Sequence, residues 1–264
     1  MVLCNLHIVS LKDGISLGSF LGKLRRNGIE PVVQARVVRW MILPTETSIG
    51  HLVGRNIRWD VLLILKENDP IPQEAEHDIQ AVWTASCGVS SKALSGYATV
   101  NRDLLKPPPG SVKPPEKHAL EPSTTSQNLE MSPELSEWIA ALPAELREHP
   151  VSMLNLLSFH PGKKDEYKKY GTAFSTKEGV IHGARVKVVG KVTESQAGTD
   201  GWEEIAFVHY PSVEHFAALA ASKEYQEVNH KYRLGALKDT FILCVMEVDD
   251  HGNIVNLRPA KEKL

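Results

Sequence analysis

The sequence has no surplus of positive charge and no long apolar run. Its 264 residues include 30 Lys and Arg against 32 Asp and Glu, which gives a formal net charge of -2. Proteins that bind nucleic acid or acidic membranes mainly through charge carry a basic surplus. A membrane-spanning helix needs about 18 consecutive apolar residues, and no stretch comes near that length. We therefore predict neither a nucleic-acid partner nor a membrane partner.

Cysteines and cofactor motifs are also scarce. The three cysteines, Cys4, Cys87 and Cys244, are an odd number at wide spacing. This pattern predicts free, buried thiols in a reducing compartment, and the cytoplasm is the expected location. The 11 histidines show no spacing that groups metal ligands on one face, and no dinucleotide or P-loop glycine motif is present. We predict no metal and no cofactor, with haem ligation left open because no histidine stands out for it.

A segment rich in Pro, Ser and Thr divides the chain. Residues 106–132 contain few apolar side chains and predict a semi-extended linker between residues 1–105 and the rest. Ser132 is a predicted N-cap with Pro133 in the first turn, and Pro143 predicts a break. Residues 133–149 are therefore a predicted docking helix with Trp138 on its apolar face, and residues 150–264 form a second folded part.

Short matches between the two halves keep their order along the chain and indicate a diverged duplication. The paired pieces are Asn5-Leu6 with Asn155-Leu156, 35–37 with 184–186, Trp59-Asp60 with Trp202-Glu203, and Glu76-His77 with Glu214-His215.

Hydrophobic periodicity predicts the elements of both halves. In the second half, strands near 151–159, 184–192, 202–210 and 241–248 alternate with helices near 163–179 and 212–239, which is the βαββαβ order of a ferredoxin-like unit. The first half begins alike, with strands near 2–10, 32–43 and 59–66, a helix near 15–27 and another near 90–105. Residues 81–89 fit a strand or a helix. We predict an α+β fold in which two ferredoxin-like units form a tandem, pseudo-dimeric α+β barrel.

Several pieces of the second half resemble one family. They are "NLL" at 155–157, "EYKKYG" at 166–171, "HGARVKVVGKV" at 182–192, "AFVHYPSVEHF" at 206–216 and "SKEYQ" at 222–226. Together they resemble the DUF1330-type branch of the dimeric α+β barrel superfamily, and the whole chain looks like a group of fungal two-part proteins. That superfamily includes cofactor-free monooxygenases, cyclases, isomerases, haem-binding enzymes and stress proteins, so the resemblance implies a fold and leaves the reaction open.

Four residues are candidates for binding a ligand. Asn155 lies inside an apolar strand, where its amide would either bind a ligand or satisfy a structural hydrogen bond. Tyr167 and Tyr170 share one helical face and would either line a cavity or pack against the sheet. Tyr225 matches the "SxxYQ" pattern of the resembled family, which implies a ligand contact.

Two histidines are the candidate catalytic bases. His182 precedes the second strand of this half, at a predicted pocket rim or in a solvated loop. His209 ends the third strand and shares a face with Ile205 and Phe207.

These residues lead to three hypotheses. The first is a cofactor-independent enzyme of cyclase, isomerase, lyase or monooxygenase type that acts on a small hydrophobic or aromatic metabolite. The second is a protein of the same fold that binds such a molecule without catalysis, for example in a stress response. The third is a scaffold whose linker and Trp138 helix dock a partner. We expect a monomeric pseudo-dimer or a homodimer. The main cavity should lie between the C-terminal sheet and its helices, beside Asn155, Tyr170 and Tyr225, while a barrel without a cavity would favour the scaffold.

Overall fold

A computed structural model describes residues 1–115, 123, 126–195 and 201–256 of the chain. Its strands pair antiparallel into one closed barrel with the neighbour order β1-β3-β2-β8-β5-β7-β6-β4. The strands are β1 (Val2–Leu11), β2 (Val33–Ile42), β3 (Val61–Lys66), β4 (Ile79–Val89), β5 (Val151–Phe159), β6 (Arg185–Ser195), β7 (Glu204–Tyr210) and β8 (Leu237–Glu247). The predicted α+β barrel is confirmed, and residues 81–89 belong to a strand.

The helices differ in length between the halves. In the first half they are α1 (Leu17–Arg26), α2 (Ile49–Leu52), α3 (Gln73–Glu76) and α4 (Ser91–Leu105). The second half has α5 (Pro133–Ala141), α6 (Ala144–Arg147), α7 (Lys164–Ala173), α8 (Gly179–Ile181), α9 (Val213–Ala221) and α10 (Lys223–Val228). Two π-helical segments, Phe174–Glu178 and Asn229–Leu234, continue α7 and α10. No helix among the described residues is long and apolar enough to cross a membrane.

Each half contributes four neighbouring strands in the same relative order. The first half reads β4-β1-β3-β2 around the barrel and the second half reads β8-β5-β7-β6. Two further pairings, β2 with β8 and β4 with β6, join the halves and close the barrel. Because closure pairs both edges of each four-strand sheet, the barrel leaves no strand edge unpaired.

Side chains alternate between the inside and the outside of the barrel. Leu6, Leu62, Leu154, Phe207 and Leu243 belong to the interior core. On the outside of the first half, α1 packs its buried residues Phe20, Leu21 and Leu24 onto the sheet. All three cysteines are free and buried, as the sequence predicts.

The second predicted helix of the C-terminal half is shorter than expected. Ser222 interrupts it, because its hydroxyl accepts a hydrogen bond from the Tyr225 backbone N–H and so caps α10. At the other end β8 begins at Leu237, so the prediction of helix to residue 239 is wrong. The Asp239 carboxylate accepts backbone N–H groups of Thr45 and Thr47, which ties this strand end to a loop of the first half.

The segment before β5 packs against both halves. Ser132 caps α5 through the Leu135 N–H, and α5 ends before Pro143. Trp138 of α5 lies against the Arg39 guanidinium of β2, 4.7 Å from the ring centroid. Part of the predicted linker, residues 116–122 and 124–125, lies outside the described residues. The end of that linker is ordered by burial of Leu129 and Met131 against the C-terminal helices, which its low apolar content did not indicate.

Candidate functional site

A cavity of about 510 Å³ lies between the outer face of the C-terminal strands and α7. Its apolar lining comes from residues of several elements: Met153, Ala206, Val208, Phe174, Phe216 and Ile242. Most small-molecule sites are apolar concavities that also carry a few polar groups. The position agrees with the cavity that the sequence predicts between this sheet and its helices.

The strand residues under the cavity are small enough to leave room. Ala206 is the pairing partner of Asn155 across β5 and β7, and its methyl group fills little of the space below α7. Above it, α7 contributes the rings of Tyr167 and Tyr170, whose centroids are 5.3 Å apart. Planar rings form the wall of a cavity because their limited rotamers keep them from collapsing into it.

Asn155 lies on the floor of the cavity. Its Nδ2 donates to the backbone oxygen of Met153 at 3.1 Å and of Ala206 at 3.2 Å. Those two bonds hold the amide in one orientation, as the structural interpretation of this residue requires. An asparagine amide also has a carbonyl acceptor, and no hydrogen bond from the described residues occupies the Asn155 Oδ1. The hydrogen bonds of Nδ2 therefore hold the side chain in place, and Oδ1 remains available to accept a hydrogen bond from a ligand.

The three tyrosines predicted to bind a ligand form one cluster. Tyr167 and Tyr170 line the cavity, while Tyr225 lies behind them and does not line it. The hydroxyls of Tyr170 and Tyr225 are 3.0 Å apart and share a hydrogen bond. Burial raises the pKa of both groups, so both remain neutral hydroxyls at physiological pH.

Charged residues of the cavity were missed by sequence reasoning. Glu204, at the start of β7, lines it together with Lys164 and Lys168 of α7. The Glu204 carboxylate lies 3.3 Å from the Lys164 ammonium. The available signal was strand alternation, since Glu204 shares its face with Ala206 and Val208 and opposes the face of Ile205 and Phe207.

Neither predicted catalytic histidine lines this cavity. His209 points into the barrel with Ile205 and Phe207, as alternation predicts, but the cavity lies on the opposite face of β7. Burial lowers the pKa of His209 to about 3, with nearby Lys187 contributing, so the ring is neutral. His182 follows α8 and is buried, so it is neither a solvated loop residue nor a rim residue of the cavity. The assignment of these residues as bases stays a prediction that the geometry does not support.

A second polar group lies where α4 meets the barrel. The Lys187 ammonium of β6 forms an ion pair with Glu247 of β8, and it contacts the Asn101 Oδ1 at 3.0 Å. Tyr97 of α4 donates to the same carboxylate at 3.3 Å. Burial lowers the pKa of Lys187, and the charge of Glu247 opposes that effect. The paired groups satisfy one another, which is typical of a structural connection between halves.

One motif-like spacing was also overlooked in the sequence. Residues 14–18 read GISLG, which is the GxSxG spacing of serine hydrolases. In the structure Ser16 caps α1 by accepting the Ser19 N–H. No histidine of the described residues bonds to Ser16, so its observed role is capping. Within that same part of the chain, no cluster of three or more His, Cys, Asp or Glu forms a metal site.

Residues 155–246 match the model of a family described as Domain of unknown function (DUF1330). The C-terminal half therefore contains a DUF1330 domain, as its sequence pieces indicate. The matched range includes Asn155, Tyr167, Tyr170 and Glu204, so the strands and helix that form the cavity belong to this domain. No curated protein matches the chain.

Solved structures provide more distant likenesses. A protein of unknown function from Rhodopseudomonas palustris, RPA0582, is 24% identical, with 44% of this chain and 92% of that chain covered and a TM-score of 0.36. An anthrone oxidase-like protein is 12% identical over 94% and 92% of the two chains, with a TM-score of 0.42. A Fusobacterium nucleatum protein, FN1347, provisionally described as a monooxygenase, is 8% identical over 95% of each chain, with a TM-score of 0.45. Likenesses at this level carry no information about the chemistry of the site.

Proposed function

We propose that this protein binds a small, mainly apolar molecule in the cavity under α7. The observation that carries the proposal is the combination of an apolar lining with the Asn155 amide on the cavity floor. A ligand hydroxyl or N–H would donate to Asn155 Oδ1 while the rest of the molecule contacts Ala206, Val208 and the tyrosine rings. This proposal is the second hypothesis drawn from the sequence, in which the protein binds a small molecule without catalysis. Asn155 and Tyr170 keep the ligand-binding roles that were predicted for them.

An enzymatic function is the second candidate, and Glu204 is the observation that favours it. Its carboxylate lines the same cavity as Tyr167. Burial, followed by Tyr170 and Glu204, raises the pKa of Tyr167, so this hydroxyl is a neutral hydrogen-bond donor. A carboxylate base and a neutral phenol on one substrate suit proton transfer next to a carbonyl group. A cofactor-independent isomerase, cyclase, lyase or monooxygenase would use Glu204, in place of His182 or His209, as the base.

The proposed architecture is a tandem of two ferredoxin-like units, residues 1–105 and 150–264. The matching strand orders of the two halves support it. Residues 106–132 would act as the linker and 133–149 as the docking segment between the units. We expect the protein to act in the cytoplasm, as a monomeric pseudo-dimer or a homodimer. Trp138 already packs on Arg39. It is therefore not free to dock a partner, as the scaffold hypothesis requires.

The binding proposal is tested by filling the cavity. Ala206→Phe places a ring where the ligand would lie, and we expect affinity for naphthalenemethanol, a neutral aromatic probe, to fall about tenfold or more, a loss of roughly 1.4 kcal/mol. Binding is measured by calorimetry, and mass spectrometry of protein purified from its own host identifies any retained molecule. Val100→Phe, at a residue 50% exposed on α4, is the matched control.

Equal binding of the probe by the wild type and Ala206→Phe would show that the ligand lies elsewhere. The enzymatic candidate is tested with the retained molecule. Glu204→Gln should keep its binding and abolish its conversion, and unchanged conversion would remove Glu204 as the base.

A further inference from the structure

Arg233 is a buried cation beneath the tyrosine cluster. It lies in the π-helical segment Asn229–Leu234 and is 2% exposed. Its Nη1 is 3.5 Å from the Asn229 Oδ1, and its Nη2 has no hydrogen-bond partner. Among the described residues no carboxylate forms an ion pair with it. A buried guanidinium in such surroundings is costly, because burial removes its hydration and nothing of opposite charge replaces it.

The groups around Arg233 are phenols and an amide. Its charge acts on the hydroxyls of Tyr167, Tyr170, Tyr210 and Tyr225, opposing the effect of burial on the pKa of each. Three of these residues, Tyr167, Tyr170 and Tyr210, line the cavity on their other side. The tyrosines therefore stand between the buried charge and the space that a ligand would occupy.

The cluster contains more hydrogen-bond donors than acceptors. A guanidinium has five N–H donors and no acceptor, and each tyrosine adds one O–H. A hydroxyl beside a guanidinium accepts from it, so its own proton points to another partner. Tyr170 and Tyr225 already share one hydrogen bond. Tyr167 lines the cavity and the charge of Arg233 acts on its hydroxyl, so this hydroxyl can give its proton to an acceptor in the cavity.

We propose that the ligand of this cavity carries an acidic group, a carboxylate or an ionised phenol, which accepts from the tyrosine hydroxyls and is stabilised by the charge of Arg233. The inference rests on the proposed binding function and narrows its ligand to aromatic or aliphatic acids. Arg233 acts through the tyrosines and is a positioning residue. An anion above the tyrosines would supply the opposite charge that no described carboxylate gives Arg233, since Glu204, which lines the same cavity, pairs with Lys164.

Two probes of similar shape distinguish the effect of ligand charge from the effect of fit to the cavity. Naphthoate and naphthalenemethanol fill the same volume, and only naphthoate is an anion at neutral pH. We expect the wild type to bind naphthoate roughly tenfold more tightly, since a charged acceptor strengthens each hydrogen bond. Arg233→Met should reduce that ratio to about one and should not lower the melting temperature, because it removes an unpaired buried charge. Arg233→Lys should keep part of the preference.

Lys231→Met is the matched control, because Lys231 lies in the same π-helical segment as Arg233 but is exposed and does not line the cavity. The ratio should survive this change. Equal binding of both probes by the wild type would overturn the acid preference and leave the proposed function intact. A preference that persists in Arg233→Met, or a fall in melting temperature with loss of both probes, would show that Arg233 is structural. Binding of neither probe by the wild type would overturn both proposals.

Discussion

The two halves of the barrel share a strand order and differ in what covers it. Around the barrel each half reads last, first, third and second strand. In the first half α1 seals the outer face with Phe20, Leu21 and Leu24, all buried. In the second half α7 places tyrosines over the same face and leaves a cavity of about 510 Å³. The same sheet can therefore support a closed core or a binding site, depending on the residues between sheet and helix.

One pair of positions shows the difference directly. Asn5 pairs with Leu65 across β1 and β3, and Asn155 pairs with Ala206 across β5 and β7. β1 and β5 hold the same place in the strand order of their halves, so these positions correspond. Leu65 is fully buried under the first-half helices, while Ala206 borders the cavity. Replacing a leucine by an alanine at one such place removes about three carbon atoms from the core, which is the scale on which cavities form.

The largest expected effect concerns the buried polar group that connects α4 to the barrel. Lys187→Met leaves the Glu247 carboxylate buried beside α4 without its cation, and we expect the free energy of unfolding to fall by about 3–5 kcal/mol. Chemical denaturation measures this change. Lys191→Met, at an exposed residue of the same strand, should alter stability by less than about 0.5 kcal/mol.

The double variant Lys187→Met with Glu247→Leu should recover much of that loss, because it removes both buried charges. If Lys187→Met alone left stability unchanged, the ion pair would contribute nothing to joining α4 to the barrel.

The next effect tests whether the first half can acquire a cavity. Leu65→Ala should lower the free energy of unfolding by about 2–5 kcal/mol, the usual cost of a large-to-small core change. It should not create a second site for naphthalenemethanol, because α1 still fills the space with apolar side chains. Leu3→Ala, at a residue 38% exposed on the neighbouring strand, is the control. If calorimetry showed a second bound probe molecule, one small residue in the sheet would be sufficient to form a binding site under α1.

Acidification should weaken both halves through buried neutral histidines. Burial lowers the pKa of His7 and of His149 from 6.5 to about 4. Below pH 6.5 the unfolded chain therefore binds protons that the folded chain does not, so stability is full above that pH and declines as the pH falls towards 4. The melting temperature should follow this decline. His7→Gln and His149→Gln should flatten it, while the exposed His160→Gln should not; an unchanged slope in all three would contradict burial as the cause.

The smallest effect compares the two asparagines. Asn155→Ala removes two hydrogen bonds to backbone oxygens and should cost about 1–2 kcal/mol of stability. Asn5 accepts from the Ser86 hydroxyl at 2.7 Å, and Asn5→Ala should cost roughly 0.5–1 kcal/mol. Only the change at Asn155 should also weaken naphthalenemethanol binding. If both variants lost the same amount of affinity for the probe, the effect would not be specific to Asn155, and Asn155 would lie outside the site.

Much of the arrangement of strand and helix faces could be predicted from hydrophobic periodicity. The parity of β5 placed Asn155 with Met153, and the spacing of Tyr167 and Tyr170 placed both on one face of α7. These are local rules, so a single sequence contains them. The parity of His209 was also predicted correctly, but a strand pattern does not say which of two buried faces borders a cavity.

Arg233 was out of reach for a physical reason. Arginine is rarely buried without a partner of opposite charge, so its residue type gives no reason to place it in a core. Its position does give a reason, because Arg233 follows Tyr225 by eight residues and Asn229 by four, which puts all three on one helical face. The sequence alone does not show that the guanidinium follows the other two side chains into the core.

The closure of the barrel within one chain has a consequence for stoichiometry. A barrel built from two identical chains carries every site twice, and its two sites are free to communicate through the shared sheet. Here both halves belong to one chain and differ in sequence, and among the described residues this cavity lies under α7 and not under α1. We expect one molecule bound per chain with a simple hyperbolic isotherm, and an affinity that does not change with protein concentration.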